Sequence, residues 1–160
     1  MSAFPAKILV ATAGSEDALL AVQAAVDLSN GTGAELHIVH VGESLPSYPP
    51  PVSGPPPPTP STEEIRRLAE GLLEAQLERV REMGGEAVEG HLRMGRPEEE
   101  ILRLSEEIVA GLIVVGNQGI SGRFSRMRRF LMGGVSESVT RYARCSVMVV
   151  RKDLYDRPST

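Results

Sequence analysis

Short apolar runs rich in β-branched residues alternate with longer segments of helical periodicity, and this alternation limits the possible folds more than any other feature. The strand-like runs cover residues 7–12, 34–41, 87–92, 112–115 and 146–150. Helical segments between them begin near Ser15, at Ser61 or Thr62, at Pro97 and at Val135. Five strands alternating with four helices predict an α/β fold with right-handed crossovers and a doubly wound parallel sheet covered by helices on both faces.

Local signals support three of these helices. Ser15 is a good N-cap, and Asn30-Gly31 predicts the end of that helix. Pro97 suits a first helical turn, where three following glutamates favour the positive end of the helix dipole. The segment that follows Ser61 keeps helical spacing until Gly84-Gly85 through Ile65, Leu68, Leu72, Leu73, Leu77 and Val80.

Length and composition indicate one folded domain over residues 1–160. A chain of 160 residues buries roughly 70% of its unfolded surface, which is enough for a self-sufficient core. Its 41% hydrophobic and 24% charged residues are ordinary for globular proteins and exclude wholesale disorder or a coiled coil. Nine of the fifteen residues from 46 to 60 are proline. Because proline lacks an amide donor, this segment predicts a loop within the domain.

The chain offers no signal for export or for a membrane. No apolar run approaches the ~20 residues of a membrane-spanning helix, and the first ten residues lack a secretory pattern. Cys145 is the single cysteine, so an intramolecular disulfide is impossible and a reducing compartment is favoured. We therefore expect a cytoplasmic protein without a membrane partner.

Charge is divided unevenly along the chain, although the net charge is only -4. Residues 1–115 carry 8 basic and 18 acidic side chains, which gives -10, whereas residues 116–160 carry 9 basic and 3 acidic ones, which gives +6. A basic segment on an acidic body predicts a local anion site, because nucleic-acid binding normally requires a broad basic face. We expect no nucleic-acid partner.

A glycine-rich loop follows the fourth predicted strand and marks the candidate anion site. It begins Gly116-Asn117-Gln118-Gly119, and Gly133-Gly134 precede the next helix. Glycines allow close approach of backbone to a ligand, and a helix start offers unpaired amides that favour phosphate. Four arginines add positive charge: Arg123, Arg126, Arg128 and Arg129. The pattern is also that of a flexible turn followed by a solvated basic stretch, and it matches neither a Walker A loop nor a dinucleotide fingerprint.

Three stretches together resemble the universal stress protein family: ILVATAGSEDA near the start, LIVVGNQGISG after the fourth strand, and GGVSESVTRYARCSVMVVR at the end. The resemblance spans nearly the whole chain. It implies a Rossmann-like fold of five parallel strands in the order 3-2-1-4-5. It also implies binding of ATP, with or without Mg²⁺, or of a related adenine nucleotide, and regulation of unidentified protein partners in the stress response.

Family motifs transfer onto specific positions of this chain. Thr12 and Val41 match adenine-side contacts, while Val115, Val135 and Ser136 match positions that contact ribose or phosphates. The glycines of the family motif G-x2-G-x9-G-[S/T] fall on Gly116, Gly119 and Gly133. The resemblance thus gives these candidate nucleotide-binding residues: Thr12, Ala13, Val41, Val115, Gly116, Gly119, Arg129, Gly133, Gly134, Val135 and Ser136.

Three departures from the family pattern all affect nucleotide contacts. Ala13 stands where an acid commonly helps to hold adenosine, and Gly134 replaces the hydroxyl residue after the third glycine. The spacer at residues 120–132 has 13 residues instead of nine. A stress protein that binds no nucleotide and acts as a dimeric interaction module is therefore an alternative. An adenylating enzyme is a weaker one, because AGSED at residues 13–17 only faintly matches a pyrophosphate-binding turn.

Other reactive side chains predict structural roles. His37, His40 and His91 lie on predicted strands without a carboxylate or cysteine at ligand spacing, so we expect packed histidines and no metal site. Cys145 begins an apolar strand and is expected to be a core residue, although Arg144 beside it would lower the thiol pKa if the thiol were exposed. We expect no catalytic residues, and at most slow ATP hydrolysis.

The last strand predicts self-association. Residues 145–150 are apolar and would lie at a sheet edge, and an open apolar edge is an aggregation hazard that pairing with a second copy removes. The family resemblance likewise implies a homodimer built on this strand.

Overall fold

The computed structural model describes residues 3–12, 16–42, 53–55, 58–86, 88–117 and 134–152. Strands and helices alternate along these residues, as the sequence predicts. In chain order they are β1 (Lys7–Thr12), α1 (Glu16–Thr32), β2 (Glu35–Gly42), α2 (Thr62–Glu82), β3 (Val88–Met94), α3 (Pro97–Glu107), β4 (Leu112–Gly116), α4 (Val135–Tyr142) and β5 (Ser146–Val150).

The five strands form one sheet in the order β3-β2-β1-β4-β5, and all neighbouring pairs are parallel. This confirms the expected doubly wound α/β fold and its strand order. Thr12 is opposite His40 in the pairing of β1 with β2, and His37 is opposite Glu89 in the pairing of β2 with β3. The edge strands are therefore β3 and β5.

Two apolar layers cover the sheet, one on each face. Ile8 and Val10 of β1 pack in the layer that includes Val22 and Val26 of α1. Leu9, between them in sequence, packs in the opposite layer with residues of α3 and α4. Because successive side chains of a strand point to opposite faces, β1 must be apolar on both, which explains its continuous apolar run.

Capping residues set the starts of α2 and α3. Ser61 is the N-cap of α2: its hydroxyl accepts a hydrogen bond from the Glu64 amide at 3.2 Å, and its own amide donates to Glu64 Oε2 at 2.6 Å. This capping box selects Ser61 over Thr62 as the cap. Pro97 occupies the first turn of α3, as predicted.

Several boundaries and one helix face differ from the sequence predictions. Helix α1 continues to Thr32 because Gly33, with φ +78°, makes the left-handed turn that ends it. Strand β3 ends two residues later than predicted, and its final residue pairs with Gly42, whereas the predicted first residue, Ala87, lies outside the described residues. On α2, Leu68 and Leu72 are 68% and 52% exposed, so the buried face is centred instead on Ala69 and Val80.

The proline-rich loop at residues 46–60 is only partly described. Of the proline-rich loop, residues 53–55 and 58–60 are described, and they contain neither helix nor strand.

Among the described helices, none combines the length and the apolar character that crossing a membrane would require.

Candidate functional site

The candidate site lies at the carboxyl ends of β1 and β4. These two strands are neighbours at the centre of the sheet, and the chain continues from β1 toward β2 on one side and from β4 toward β5 on the other. Ligands of doubly wound sheets bind at such a reversal, beyond the carboxyl ends of the strands. The fold thus brings together Thr12, at the end of β1, and Gly116, at the end of β4.

The first turn of α4 stands beside the end of β4. The Ser136 hydroxyl donates a hydrogen bond to the carbonyl of Asn117 at 3.4 Å, and the Asn117 amide donates to the Val150 carbonyl at 2.8 Å. Gly134 is the N-cap and contributes no side-chain hydrogen bond. Because the first amides of a helix have no intrahelical acceptor, this end of α4 supplies donors and partial positive charge to the site.

Gly116 has a packing role that its motif position did not reveal. A Cβ atom on Gly116 would lie 2.7 Å from the carbonyl carbon of Asp17 and 2.8 Å from the amide nitrogen of Ala18. The glycine therefore lets the first turn of α1 press against the end of β4. Its role in the fold is established by this contact, independently of any ligand.

Thr12 is buried and faces the neighbouring strand. Its hydroxyl lies 3.3 Å from the Val39 carbonyl, to which it donates, and 3.4 Å from Nδ1 of His40. Burial lowers the pKa of His40, and a hydrogen bond with the Thr12 backbone opposes this only partly. The pair forms the wall of the site on the β2 side.

Two of the predicted valine contacts belong to the core. Val115 is only 3% exposed and packs in the same layer as Val139 of α4. Val41, partly buried, lies against that layer too. A ligand at the strand ends would therefore meet the Val115 backbone, whereas the partly open side chains of Val41 and Val135 offer apolar contact.

The other predicted contacts lie outside the described residues. These are Ala13, Gly119, Arg129 and Gly133, together with the neighbouring arginines at 123, 126 and 128. The described part of the site thus comprises Thr12, Val41, Val115, Gly116, Gly134, Val135 and Ser136.

Asp17 lies in the first turn of α1, where an acidic side chain is favoured by the helix dipole. The structure places it at the candidate site, 5% exposed, with its Oδ1 accepting a hydrogen bond from the Lys152 amide at 3.0 Å. An acid in a first turn is common, so only its partner far along the chain identifies its role.

The expectation that the histidines lack neighbouring carboxylates was wrong. Nε2 of His37 lies 3.3 Å from Glu35 Oε2, and Nδ1 of His37 lies 3.6 Å from Glu89 Oε2. Residues two apart on a strand share a face, and strand pairing brings a second such pair alongside. The sequence shows the two Glu-x-His pairs, at residues 35–37 and 89–91, but it does not show the strand register that brings them together.

Cys145 is partly buried, and its neighbour Arg144 is engaged elsewhere. Arg144 extends to Glu106, with Nε and Oε1 3.3 Å apart, and burial raises the pKa of the Cys145 thiol. A thiol with a raised pKa is a weak nucleophile at neutral pH. This agrees with the expected structural role.

Comparison with known proteins identifies relatives of the whole fold. The family model described as "Universal stress protein family" matches residues 6–151. A universal stress protein relative from Staphylococcus aureus strain USA300 is 35% identical over 147 residues, which cover 91% of this chain and 84% of the relative.

Solved structures of the same family share this architecture. A universal stress protein in complex with cAMP superposes with a TM-score of 0.67 at 22% identity, covering 91% of this chain and 97% of that one. A universal stress protein from Archaeoglobus fulgidus in complex with dAMP gives a TM-score of 0.61 at 23% identity, covering 90% and 96%. From the matched family model and the sequence relative together, this chain belongs to the universal stress protein family.

Proposed function

We propose that this protein binds an adenine nucleotide at the carboxyl ends of β1 and β4 and thereby regulates protein partners in the stress response. The observation that carries the proposal is the start of α4 beside the end of β4, joined through Ser136 and Asn117. Its unpaired first amides would hold phosphate oxygens, and the Ser136 hydroxyl would turn from the Asn117 carbonyl toward them.

The opposite side of the site suits a base. Val41 is partly buried and apolar, and the buried Thr12 hydroxyl is close to the carbonyl of Val39. An adenine ring next to these residues would find an apolar surface and backbone donors and acceptors at the strand ends. Backbone groups can recognise the base without charged side chains, and Thr12 and Val41 on this side of the site are both uncharged.

Relatives with bound nucleotides support the same ligand class. Two of the solved structures are complexes with cAMP and dAMP, both adenine nucleotides with one phosphate. ATP is the ligand that the family resemblance implies, and the arginine-rich residues 123–129 would supply positive charge for its additional phosphates. We therefore propose ATP, with Mg²⁺ on its phosphates, as the first nucleotide to test, followed by AMP and cAMP.

The first experiment asks whether the protein carries or takes up nucleotide. Protein purified without added nucleotide is extracted with acid, and the extract is separated by chromatography. Nucleotide-free protein is then titrated in a calorimeter with ATP and Mg²⁺, AMP, cAMP and GTP. We expect one adenine nucleotide per chain and weaker binding of GTP. Absence of nucleotide from the extract together with flat titrations would overturn the proposal.

An interaction module remains the second candidate, and the exposed face of α2 favours it. Leu68 is 68% exposed and Leu72 52%, one turn apart on the same helix. Together with Ala13 and Gly134 in place of the family's polar residues, this exposed apolar pair is consistent with binding a protein. The calorimetric experiment separates the two candidates, because only the first requires heat of nucleotide binding.

We also propose that the protein forms a homodimer through β5. This strand lies at the edge of the sheet, and Met148 in its middle is 38% exposed. Addition of a second copy along β5 would satisfy the backbone groups of the edge and cover this side chain. We propose a cytoplasmic location because a chain with a single cysteine cannot form an intramolecular disulfide, which favours a reducing compartment.

A further inference from the structure

Three polar side chains lie together where β2 pairs with β3, toward the amino ends of the strands and away from the candidate nucleotide site. His37 is opposite Glu89 in this pairing, and His91 is opposite Val39, two residues farther along each strand. Residues two apart on a strand share a face, so His37, Glu89 and His91 project from the same side of the sheet. We call these three residues the His37–His91 cluster.

Donor atoms of the cluster lie at distances suited to a metal ion. His37 Nδ1 is 3.0 Å from His91 Nε2 and 3.6 Å from Glu89 Oε2, and the three donor atoms all lie within 4.8 Å of one another. In a tetrahedral zinc site with bonds of about 2.0–2.2 Å, neighbouring donors are about 3.4 Å apart. Small side-chain rotations would therefore place all three donors around one ion.

Glu35 is hydrogen-bonded to the other ring nitrogen of His37, Nε2. Its Oε2 lies 3.3 Å from His37 Nε2 and 3.8 Å from Nζ of Lys7. A carboxylate at this place accepts the Nε2 proton and leaves Nδ1 with a free lone pair facing His91 and Glu89. Metal-binding histidines commonly have such a carboxylate behind the ring, where it fixes the tautomer and the ring orientation.

Burial distinguishes the cluster from scattered surface residues. His37 is 4% exposed, whereas the Glu89 side chain is 67% exposed. The rings of His37 and His91 are stacked, with centroids 5.3 Å apart and planes inclined by 20°. The buried His37 is thus held rigidly in the sheet, while the exposed side of the cluster, at Glu89, gives an ion and a water molecule access. Glu107, which is close to His91, is ion-paired with Arg93.

We propose that His37, Glu89 and His91 bind a divalent transition-metal ion of the Zn²⁺ type, with water as the fourth ligand. Two imidazoles and one carboxylate are the donor set of many zinc sites, and imidazole disfavours Mg²⁺ and Ca²⁺. To bind the ion through Nε2, the neutral His91 ring moves its proton from Nε2 to Nδ1, so coordination involves no net loss of a proton. Because β3 is an edge strand, the ion would fasten it to β2. This inference is independent of nucleotide binding.

The test is a calorimetric titration of the full chain, without a histidine tag, with Zn²⁺. We expect one ion per chain, bound with micromolar or higher affinity, and a higher Tm with Zn²⁺ present. His91→Gln and Glu89→Gln should each weaken binding at least tenfold and abolish most of the Tm shift. The matched controls are His40→Gln, whose residue lies on the other face of β2, and Glu74→Gln on α2. Both should bind Zn²⁺ within about twofold of the wild type.

Cobalt spectroscopy tests the donor set separately. Co²⁺ bound at the cluster should give visible bands of tetrahedral geometry and lack a thiolate charge-transfer band, whereas a thiolate band would assign the ion to Cys145 and overturn the proposal. Equal Zn²⁺ affinity in the wild type and in His91→Gln would also overturn it. If His91→Gln does not fold, Glu89→Gln still tests the proposal, because Glu89 is exposed and its replacement should leave the fold intact. Circular dichroism checks that this variant is folded.

Discussion

The carboxylate of Asp17 accepts a hydrogen bond from the backbone amide of Lys152 at 3.0 Å, across 135 residues of sequence. The bond ties the first turn of α1 to the segment that follows β5. Both β1 and β4 end next to this turn, so the contact helps to fix the geometry of the candidate site from below.

Replacement of Asp17 should destabilise the fold through this bond. Asp17→Ala removes the acceptor from a residue that is 5% exposed, and loss of a hydrogen bond to a charged group costs about 1.5–3 kcal/mol. Urea unfolding measures the change. Asp27→Ala is the control, because Asp27 is exposed on the same helix and its Oδ1 accepts a hydrogen bond from the nearby Gln23 side chain. A loss of stability no larger than that of the control would contradict the assigned role.

Gly116→Ala should be destabilising without any ligand present. The added Cβ would lie 2.7–2.9 Å from backbone atoms of Asp17 and Ala18, which cannot move aside as a flexible side chain can. Overpacking of this kind typically costs about 1–3 kcal/mol. Gly31→Ala is a control with no atom within 4 Å of the new Cβ, and it should be neutral or stabilising in the same urea experiment.

Gly134→Ser should tighten nucleotide binding while leaving the fold intact. The nearest atom to a Cβ at this position is Ser136 Oγ at 3.9 Å, so the side chain fits. A new hydroxyl bonded to a charged phosphate would contribute about 1.5–3 kcal/mol, or roughly tenfold to a hundredfold in affinity. Calorimetry with ATP and Mg²⁺ measures the effect, and Gly31→Ser should leave affinity unchanged. Unchanged affinity in Gly134→Ser would mean that this position does not face phosphate.

Stability should fall as pH decreases below the ordinary histidine value of 6.5, in part because of His40. Burial lowers the pKa of His40 in the folded state, so the unfolded chain binds more protons in the interval between the two pKa values. The stability is fully present above 6.5 and is lost as pH falls from there through the folded-state pKa. Urea unfolding one unit above and one unit below 6.5 tests this, and His40→Gln should reduce the difference between the two measurements.

Met148→Lys should dissociate the proposed homodimer. The substitution places a charge in the middle of the edge strand β5, which opposes pairing with a second copy. Size-exclusion chromatography with light scattering should give a dimer for the wild type at micromolar concentration and a monomer for the variant. Leu72→Lys replaces an apolar side chain that is also exposed, on α2, and should remain dimeric. A monomeric wild type would contradict the proposal.

Local periodicity determined most of the secondary structure. The bounds of β1 and β5 were predicted correctly, because apolar β-branched runs between turn residues leave few alternatives. The end of α1 was placed two residues early, since Asn30-Gly31 and Gly33 are both plausible stops and only the backbone shows which glycine has positive φ. The strand order came from resemblance to a family, and the structure agrees with it.

What the sequence by itself determined is the alternation of strands and helices and the positions of Thr12, Gly116 and Ser136 at the ends of their elements. Only the tertiary structure decided which side chains meet. The pairing of Asp17 with Lys152, and of His37 with Glu89, depends on the register between segments far apart in the chain. Local propensity carries no information on that register, because it follows from how the two apolar layers pack against the sheet.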